Sequence, residues 1–414
     1  MNHHTLGPDP ADGSGPSPFT AAELAALRGC WQLDPDRAFT NHGSFGAMPA
    51  PVVERVNELT QMVARNPNRF YLVTSRALIA DAAEHVADFL NGDERGLAFV
   101  VNATAAASII GASARFEPGD EILVTNHAYG AVRMGVERYA TDVGAACIQV
   151  DLPLDPDTDT LVAALEAAVT DRTRMLVIDQ ITSPTARLFD VAAVAQPFAA
   201  RGIDVVVDAA HAPGTLPVDL RALTDAGVSL WFGNLHKWVC APPGCGVLYA
   251  GPRHRGDVRA LVVSWEEHLG YPAAVRMQGT ANLTSFLAAP TAIDFHRALG
   301  YERVRDHGVR LARAGAELVA WTLGVEPVAG PALPMQLVPL GSVNPWDVGA
   351  AVEAAHSPVE LAITTFGDAS FVRVAAHLYN DMGDYKVLAD ALSEALAQVL
   401  HETQQADAVS GQPV

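Results

Sequence analysis

The sequence is poor in lysine, lacks paired cysteines and has no basic run. Its 414 residues carry 27 Lys and Arg against 47 Asp and Glu, a formal charge of −20. A groove tracking nucleic-acid phosphates would have to be assembled against that field, which argues against DNA or RNA as a partner. The four cysteines, Cys30, Cys147, Cys240 and Cys245, include no CxxC pair, so no disulfide scaffold is expected and a reducing, cytoplasmic setting is. No apolar run reaches the roughly 18 residues of a membrane span. The start, MNHHTLGPDPADGSGPSPFT, lacks the basic and apolar regions of a signal peptide and reads as a mobile leader rich in Gly, Pro, Asp and Ser. Neither GxGxxG nor GxxxxGK[ST] follows a strand, which removes the common nucleotide-binding loops.

Between residues 98 and 250, short β-rich runs alternate with Ala-rich helical stretches. The runs are AFVVN, EILVTN, AACIQV, RMLVID, DVVVD, VSLWF and GVLYA, apolar almost throughout, as strands covered on both faces are. The alternation predicts an α/β fold with a mainly parallel sheet of about seven strands. After about residue 286 the character changes. A long helical stretch over 286–322, the β-like pieces MQLVPL, VELAIT and FVRVAA, and a final helix over about 386–401 predict a smaller α+β domain. The expected organisation is a leader (1–30), an N-terminal segment of the small domain (31–60), a large domain (61–285), the rest of the small domain (286–402) and a mobile tail (403–414).

In open α/β sheets ligands gather at the carboxyl ends of strands, so polar residues just after an apolar run are the ones to question. Asp208 ends the valine run of DVVVDAAHAPG. A carboxylate there needs a cationic or donating partner, such as a protonated pyridine nitrogen, unless it caps the next turn. Lys237, in WFGNLHKWVCAPPG, follows VSLWF, the next apolar run after DVVVD; in a partly apolar pocket its amine is a nucleophile able to form a Schiff base with an aldehyde, whereas an ordinary loop lysine only reaches for solvent. VVNATAAAS runs from a strand into a helix and offers the N–H groups of Ala103 and Thr104, and the Thr104 hydroxyl, to an anion such as phosphate. His127 and Tyr129 in VTNHAYGAV stand where a ring can lie against a planar cofactor. Arg373 in FVRVAAHLYN carries a planar fork suited to a carboxylate. Together these residues specify an aldehyde-bearing pyridine phosphate, pyridoxal 5'-phosphate, with no metal in the set.

Eight motifs then fall in order along nearly the whole chain: FTNHGSFGAMP (39–49), NAT (102–104), NHAYGAV (126–132), DQITSPTARLFDV (179–191), VDAAHAPG (207–214), NLHKWVCAPPGCGVLY (234–249), MQGTANLTS (277–285) and VRVAAHLYN (372–380). In them the chain resembles a fold-type I pyridoxal-phosphate enzyme of the class V aminotransferase group, in its isopenicillin N epimerase-like branch. The resemblance implies Lys237 as the Schiff-base lysine, Asp208 as partner of the pyridine nitrogen and His211 as neighbour of the phenolic oxygen. It implies phosphate contacts from Ala103 and Thr104, a further contact from His236, and a ring stacked by His127 with Tyr129 near the substrate. Thr280 is implied to reach the phosphate of a neighbouring subunit's cofactor, which would require a homodimer with shared sites. Arg373 is the implied α-carboxylate anchor, and Asn41 to Gly43 line the substrate entrance. Two departures stand out. Ala281 and Asn282 follow Gly279-Thr280 where related sequences often carry an aspartate, and HSPVELAITTFGDASFVRV lacks the cysteine that a desulfurase needs before its carboxylate-binding arginine.

These motifs supply only a common first step, removal of the α-proton from an amino acid. The preferred reading is an epimerase or racemase, in which Lys237 takes that proton and a second acid, with Tyr71 and His377 among the candidates, returns one from the opposite face. A C–S lyase that expels a Cβ substituent starts the same way, and transamination is a weaker third outcome. A scaffold that binds without turnover is opposed by the presence of both Lys237 and Asp208.

Overall fold

All seven apolar runs between residues 98 and 250 become strands of one sheet in the computed structural model, which describes residues 17–410. They are β1 (Leu97–Val100), β2 (Glu121–Thr125), β3 (Ala146–Val150), β4 (Thr173–Asp179), β5 (Asp204–Asp208), β6 (Leu230–Asn234) and β7 (Gly246–Ala250), in the order β1-β7-β6-β5-β4-β2-β3. Pairings are parallel throughout β6-β5-β4-β2-β3, and β7 runs antiparallel to both β1 and β6. All residues of β1, β6 and β7 are buried, which is why their sequences show no alternation. The helices between strands are started by side-chain caps: Asn102, Asp157, Asp190 and Asp219 each accept an N–H from the first turn of the helix they precede.

The order of the strands fixes where a site can form. From β2 the chain steps outward to β3, then returns past β2 and continues inward through β4, β5 and β6. The reversal lies between β2 and β4, so the loops leaving the carboxyl ends of β2 and β4 diverge there and open a crevice.

The described residues form two compact units. One holds Phe45–Ser183 and Arg187–Ala298 with the seven-stranded sheet; the other holds the chain up to Ser44, Pro184–Ala186 and the chain from Leu299 on. The second unit carries an antiparallel sheet of β8 (Met335–Gly341), β9 (Ile363–Phe366) and β10 (Ala369–Ala375) in the order β9-β10-β8, with helices Tyr301–Leu323 and Met382–Ser410. Its core joins Ala312, Val319, Val338, Val372, Leu388 and Leu392. Tyr385 sits so close to Gly315 that a Cβ there would lie 2.6 Å from the ring, so the helix crossing depends on that glycine.

Several elements differ from expectation. The helical stretch over 286–322 is three helices, Thr284–Leu287, Ala289–Leu299 and Tyr301–Leu323; Gly300, at φ +81°, breaks the ladder before the last of them. The last helix continues through Ser410, over much of the expected tail, where Glu402, Gln404 and Gln405 favour helix. Within the expected leader, Ala21–Arg28 is a helix with a reciprocal Thr20/Glu23 capping box; residues 1–16 lie outside the described residues. No helix among the described residues is long and apolar enough to cross a membrane.

Candidate active site

Three strand ends bring the central residues together. Lys237 follows β6, and its Nζ lies 3.0 Å from His211 Nε2 in the turn after β5. Asp208 ends β5 and pairs in register with Asp179, which ends β4, so on these adjacent parallel strands the two carboxyls face the same way. Both are buried. Burial lifts Asp208 to about 6, against smaller lowering by the Ala210 N–H, which it accepts at 2.9 Å, and by the Lys237 charge. Burial, and then the Asp208 charge, push Asp179 further up, so Asp179 keeps its proton when Asp208 has lost its own. The first residue, Asp208, was legible in the sequence. Asp179 was not assigned a role, although it ends RMLVID just as Asp208 ends DVVVD.

Around this centre, His127 is fully buried after β2, with Nε2 2.9 Å from the Pro153 carbonyl and its ring edge-on to Phe189. Burial lowers it to about 4, so it is a neutral ring. Tyr129 is half-exposed at the start of the next helix, and its backbone hydrogen-bonds Asp179. His236 turns away toward the chain, with Nδ1 2.9 Å from the Cys245 carbonyl, and burial lowers its pKa. The Ala103 N–H is taken by Asn234 Oδ1 at 2.9 Å, which ties β6 to the helix after β1. The donors of that helix start that face outward are those of Thr104, which is exposed. Asn234, buried at the end of β6, had no role in the sequence reading; only its place in NLHK hinted at one.

The lysine turn is rigidly built. The Gly46 N–H donates to the His236 carbonyl at 3.1 Å, and a Cβ on Gly46 would collide with the His236 and Lys237 carbonyl oxygens. Cys240 holds φ +58° and its N–H donates to the Lys237 carbonyl at 3.1 Å. Cys240 and Cys245 are buried, which raises both thiols far above the ordinary range. Neither is a reactive thiolate. Thr280 is exposed in the turn that follows Gly279, and the Tyr71 hydroxyl donates to the neighbouring Ala281 carbonyl at 3.0 Å.

In the smaller unit, Arg373 on β10 is buried and its Nη2 donates to Ser44 Oγ at 3.0 Å and to Asn41 Oδ1 at 3.5 Å. Ser44 in turn donates to Asn41 Oδ1 at 2.7 Å. Arg373 and Asn41, far apart in sequence, thus share one network with Ser44, which the sequence reading passed over, and Gly43 is buried between the last two. His377 is buried too, stacked on His42 at 4.3 Å between centroids.

The set in the larger unit fits pyridoxal phosphate. Asp208 is a buried carboxyl whose direct protein donor is one backbone N–H, which leaves acceptor capacity for a ring-nitrogen proton. Lys237 Nζ meets the imidazole of His211 at 3.0 Å.

The Aminotransferase class-V family model matches residues 46–388. Isopenicillin N epimerase of Amycolatopsis lactamdurans is 31% identical over 403 residues, covering 91% of this chain and 99% of that protein. The isopenicillin N epimerase of Streptomyces clavuligerus is 33% identical over 317 residues, 71% and 79% of the two chains. A putative L-cysteine desulfhydrase of Oryza sativa subsp. japonica is 29% identical, over 87% of this chain and 83% of its own length. Among solved structures, the Escherichia coli cysteine desulfurase CsdA has a TM-score of 0.73 at 21% identity, covering 92% and 99%. A variant of C-DES with glycine covalently linked to its PLP cofactor has a TM-score of 0.74 at 19% identity, covering 91% and 99%. The expected fold-type I, α/β architecture is borne out.

Proposed function

The chain belongs to the aminotransferase class-V family, and we propose that it is a pyridoxal-phosphate enzyme that inverts the α-carbon of an amino acid, an epimerase of the isopenicillin N epimerase kind. The observation that carries this reading is the Lys237 amine 3.0 Å from His211, beside the buried Asp208 at the end of the adjacent strand. Two epimerases, matched at 31% and 33% identity, support the choice of reaction.

When bound, pyridoxal phosphate supplies an aldehyde for amines and an electron sink for the negative charge left at Cα. The residues of the chain do the rest. Lys237 Nζ would be the nucleophile that holds the cofactor and, when free, the base that takes the α-proton of the amino acid. Asp208, ionised, would accept a hydrogen bond from the protonated ring nitrogen and so keep that nitrogen cationic. His211 would lie beside the phenolic oxygen, the neutral ring of His127 would cover one face, and Thr104 would donate to the phosphate with Ala103 and His236 beside it. Arg373, aligned by Asn41 and Ser44, takes the α-carboxylate through its planar fork, with Gly43 and Tyr129 near the substrate. Inversion needs a second acid on the opposite face, for which Tyr71 and His377 are the candidates.

The same reading includes a homodimer in the cytoplasm. Thr280 would reach the partner's cofactor phosphate, and the exposed apolar side chains of the larger unit, Leu72, Val263 and Trp265 among them, suit coverage by a second copy. The second reaction class is β-elimination from a cysteine derivative, favoured by the L-cysteine desulfhydrase relative. The two are separated by incubating holoenzyme with L-amino acids and cysteine conjugates in deuterated water. Deuterium at Cα of a D-product supports the epimerase. Pyruvate or another oxo acid, with loss of the Cβ substituent, retires it in favour of the lyase.

A further inference from the structure

Lys237 and Trp238 are consecutive in sequence, yet both reach the same imidazole. Lys237 Nζ lies 3.0 Å from His211 Nε2, and Trp238 Nε1 donates to His211 Nδ1 at 3.2 Å. An indole N–H has no acceptor capacity, so Nδ1 must present its lone pair. The one proton of the neutral imidazole then sits on Nε2, facing the lysine. That contact is a hydrogen bond when the amine presents its lone pair, whereas an ammonium would set donor against donor. We infer that Trp238 is a positioning residue that fixes the tautomer of His211 and, through it, presents the Lys237 amine as an acceptor, the form in which it is nucleophile and base. The inference rests on the reading of Lys237 as the cofactor lysine.

The packing makes the indole a fixed reference. Trp238 and His211 are both buried, and a buried indole N–H left without an acceptor costs more than one that is met. Gly214, at φ +90°, packs against Trp238 so closely that a Cβ there would lie 2.6 Å from the Trp238 Cβ. The close atoms are the Trp238 carbonyl and Cβ, so Gly214 lets the turn pack directly against the base of that side chain. Residues 211 and 214 lie in one turn, HAPG, so that turn both offers the imidazole and packs against the base of the side chain that polarises it.

The test is nitrogen NMR of protein labelled with 15N-histidine, as holoenzyme and without cofactor, with His211→Asn used to assign the ring. The coupling pattern to the ring protons should show the Nε2–H tautomer in the wild type. Trp238→Phe, which keeps an aromatic ring and removes the N–H, should shift the ring toward Nδ1–H. In the same variant, acylation of Lys237 at neutral pH without cofactor should slow by roughly threefold to tenfold, as for loss of one hydrogen bond. A wild-type ring protonated on Nδ1 overturns the inference whether or not the variant folds, as does a folded variant with unchanged tautomer and unchanged labelling rate. The chain has two lysines, Lys237 and Lys386, so borohydride reduction of the holoenzyme followed by peptide mapping tests the underlying reading separately. A tag on Lys386 alone would sink the cofactor assignment and leave the tautomer result standing.

Discussion

Replacing Asp208 with Asn should stabilise the cofactor-free protein and weaken its hold on the cofactor, and the first effect should fade with falling pH. Burial lifts the Asp208 carboxyl to about 6 from an ordinary 3.8. One pH unit corresponds to about 1.36 kcal/mol. A carboxyl that is more basic folded than unfolded keeps its proton on folding, so its contribution is fully favourable below the unfolded value and is lost as pH rises through the folded one. Ionised Asp208 therefore costs the cofactor-free protein up to about 3 kcal/mol at pH 8 and roughly half of that at pH 5, relative to a neutral side chain of the same shape. Asn retains that shape, and its carbonyl oxygen can accept the Ala210 N–H that Asp208 accepts now. Urea unfolding of both proteins at the two pH values measures the gap. Equilibrium dialysis at pH 8 should show pyridoxal phosphate bound roughly 10- to 100-fold more weakly by the variant, since a charge-assisted hydrogen bond of about 1.5–3 kcal/mol is lost. If the variant is the less stable protein at pH 8, or the gap does not change with pH, the buried, uncompensated carboxylate is not what the site contains.

Gly46→Ala should destabilise the protein by about 1–3 kcal/mol and lower cofactor occupancy together, because the added methyl meets two backbone carbonyls, one of them that of Lys237, and backbone cannot rotate away. Wild-type unfolding with full occupancy would count against that placement of the lysine turn. Burial holds His127, His296 and His307 down at about 4 against an ordinary 6.5, so the unfolded chain binds their protons first. Each should withdraw about 3 kcal/mol as pH falls from 6.5 to 4, and His296→Gln should flatten the pH dependence of unfolding over that window. With their thiols raised by burial, Cys240 and Cys245 should resist alkylation in the native protein and react on unfolding; fast native labelling at either would reopen a thiol-based mechanism. Ser44→Ala should raise KM for the amino acid several-fold with little change in kcat, by loosening Arg373, and an unchanged KM would remove Ser44 from the carboxylate anchor.

The strands were legible because burial on both faces leaves a plain signature: the interiors of DVVVD and GVLYA are unbroken apolar runs with no alternation. Asp208 and Lys237 were legible for the complementary reason, each being a polar residue that ends or follows such a run. Helix interruptions were less so. Gly300 breaks a pattern whose apolar spacing continues on both sides, and helix 301–323 resumes with the same character, so composition alone reads one element. Pairings between side chains distant in sequence were not legible at all. Nothing in NATAAAS announces that its first helical N–H, that of Ala103, is already committed to Asn234, 131 residues away. Asp179 is the same kind of case. Its chemistry is ordinary until the register of β4 with β5 sets it opposite Asp208, and register is a property of two strands that neither sequence carries by itself.

That register also gives the site its division of labour. A lysine against a carboxylate is held as an ammonium, the wrong form for attack on an aldehyde. Here two carboxyls lie at neighbouring strand ends, but the group at 3.0 Å from Nζ is an imidazole. Burial and the charge of Asp208 both raise Asp179, which favours its protonated form beside Asp208. One charge matches one ring-nitrogen proton. A second, ionised, would compete for the lysine and hold it charged. Asp179→Asn, which removes the second acid without altering its shape, should therefore leave cofactor affinity within about threefold of the wild type, where Asp208→Asn does not. Equal losses in the two variants would mean that both acids are ionised in the folded protein and that the lysine is reached through its charge.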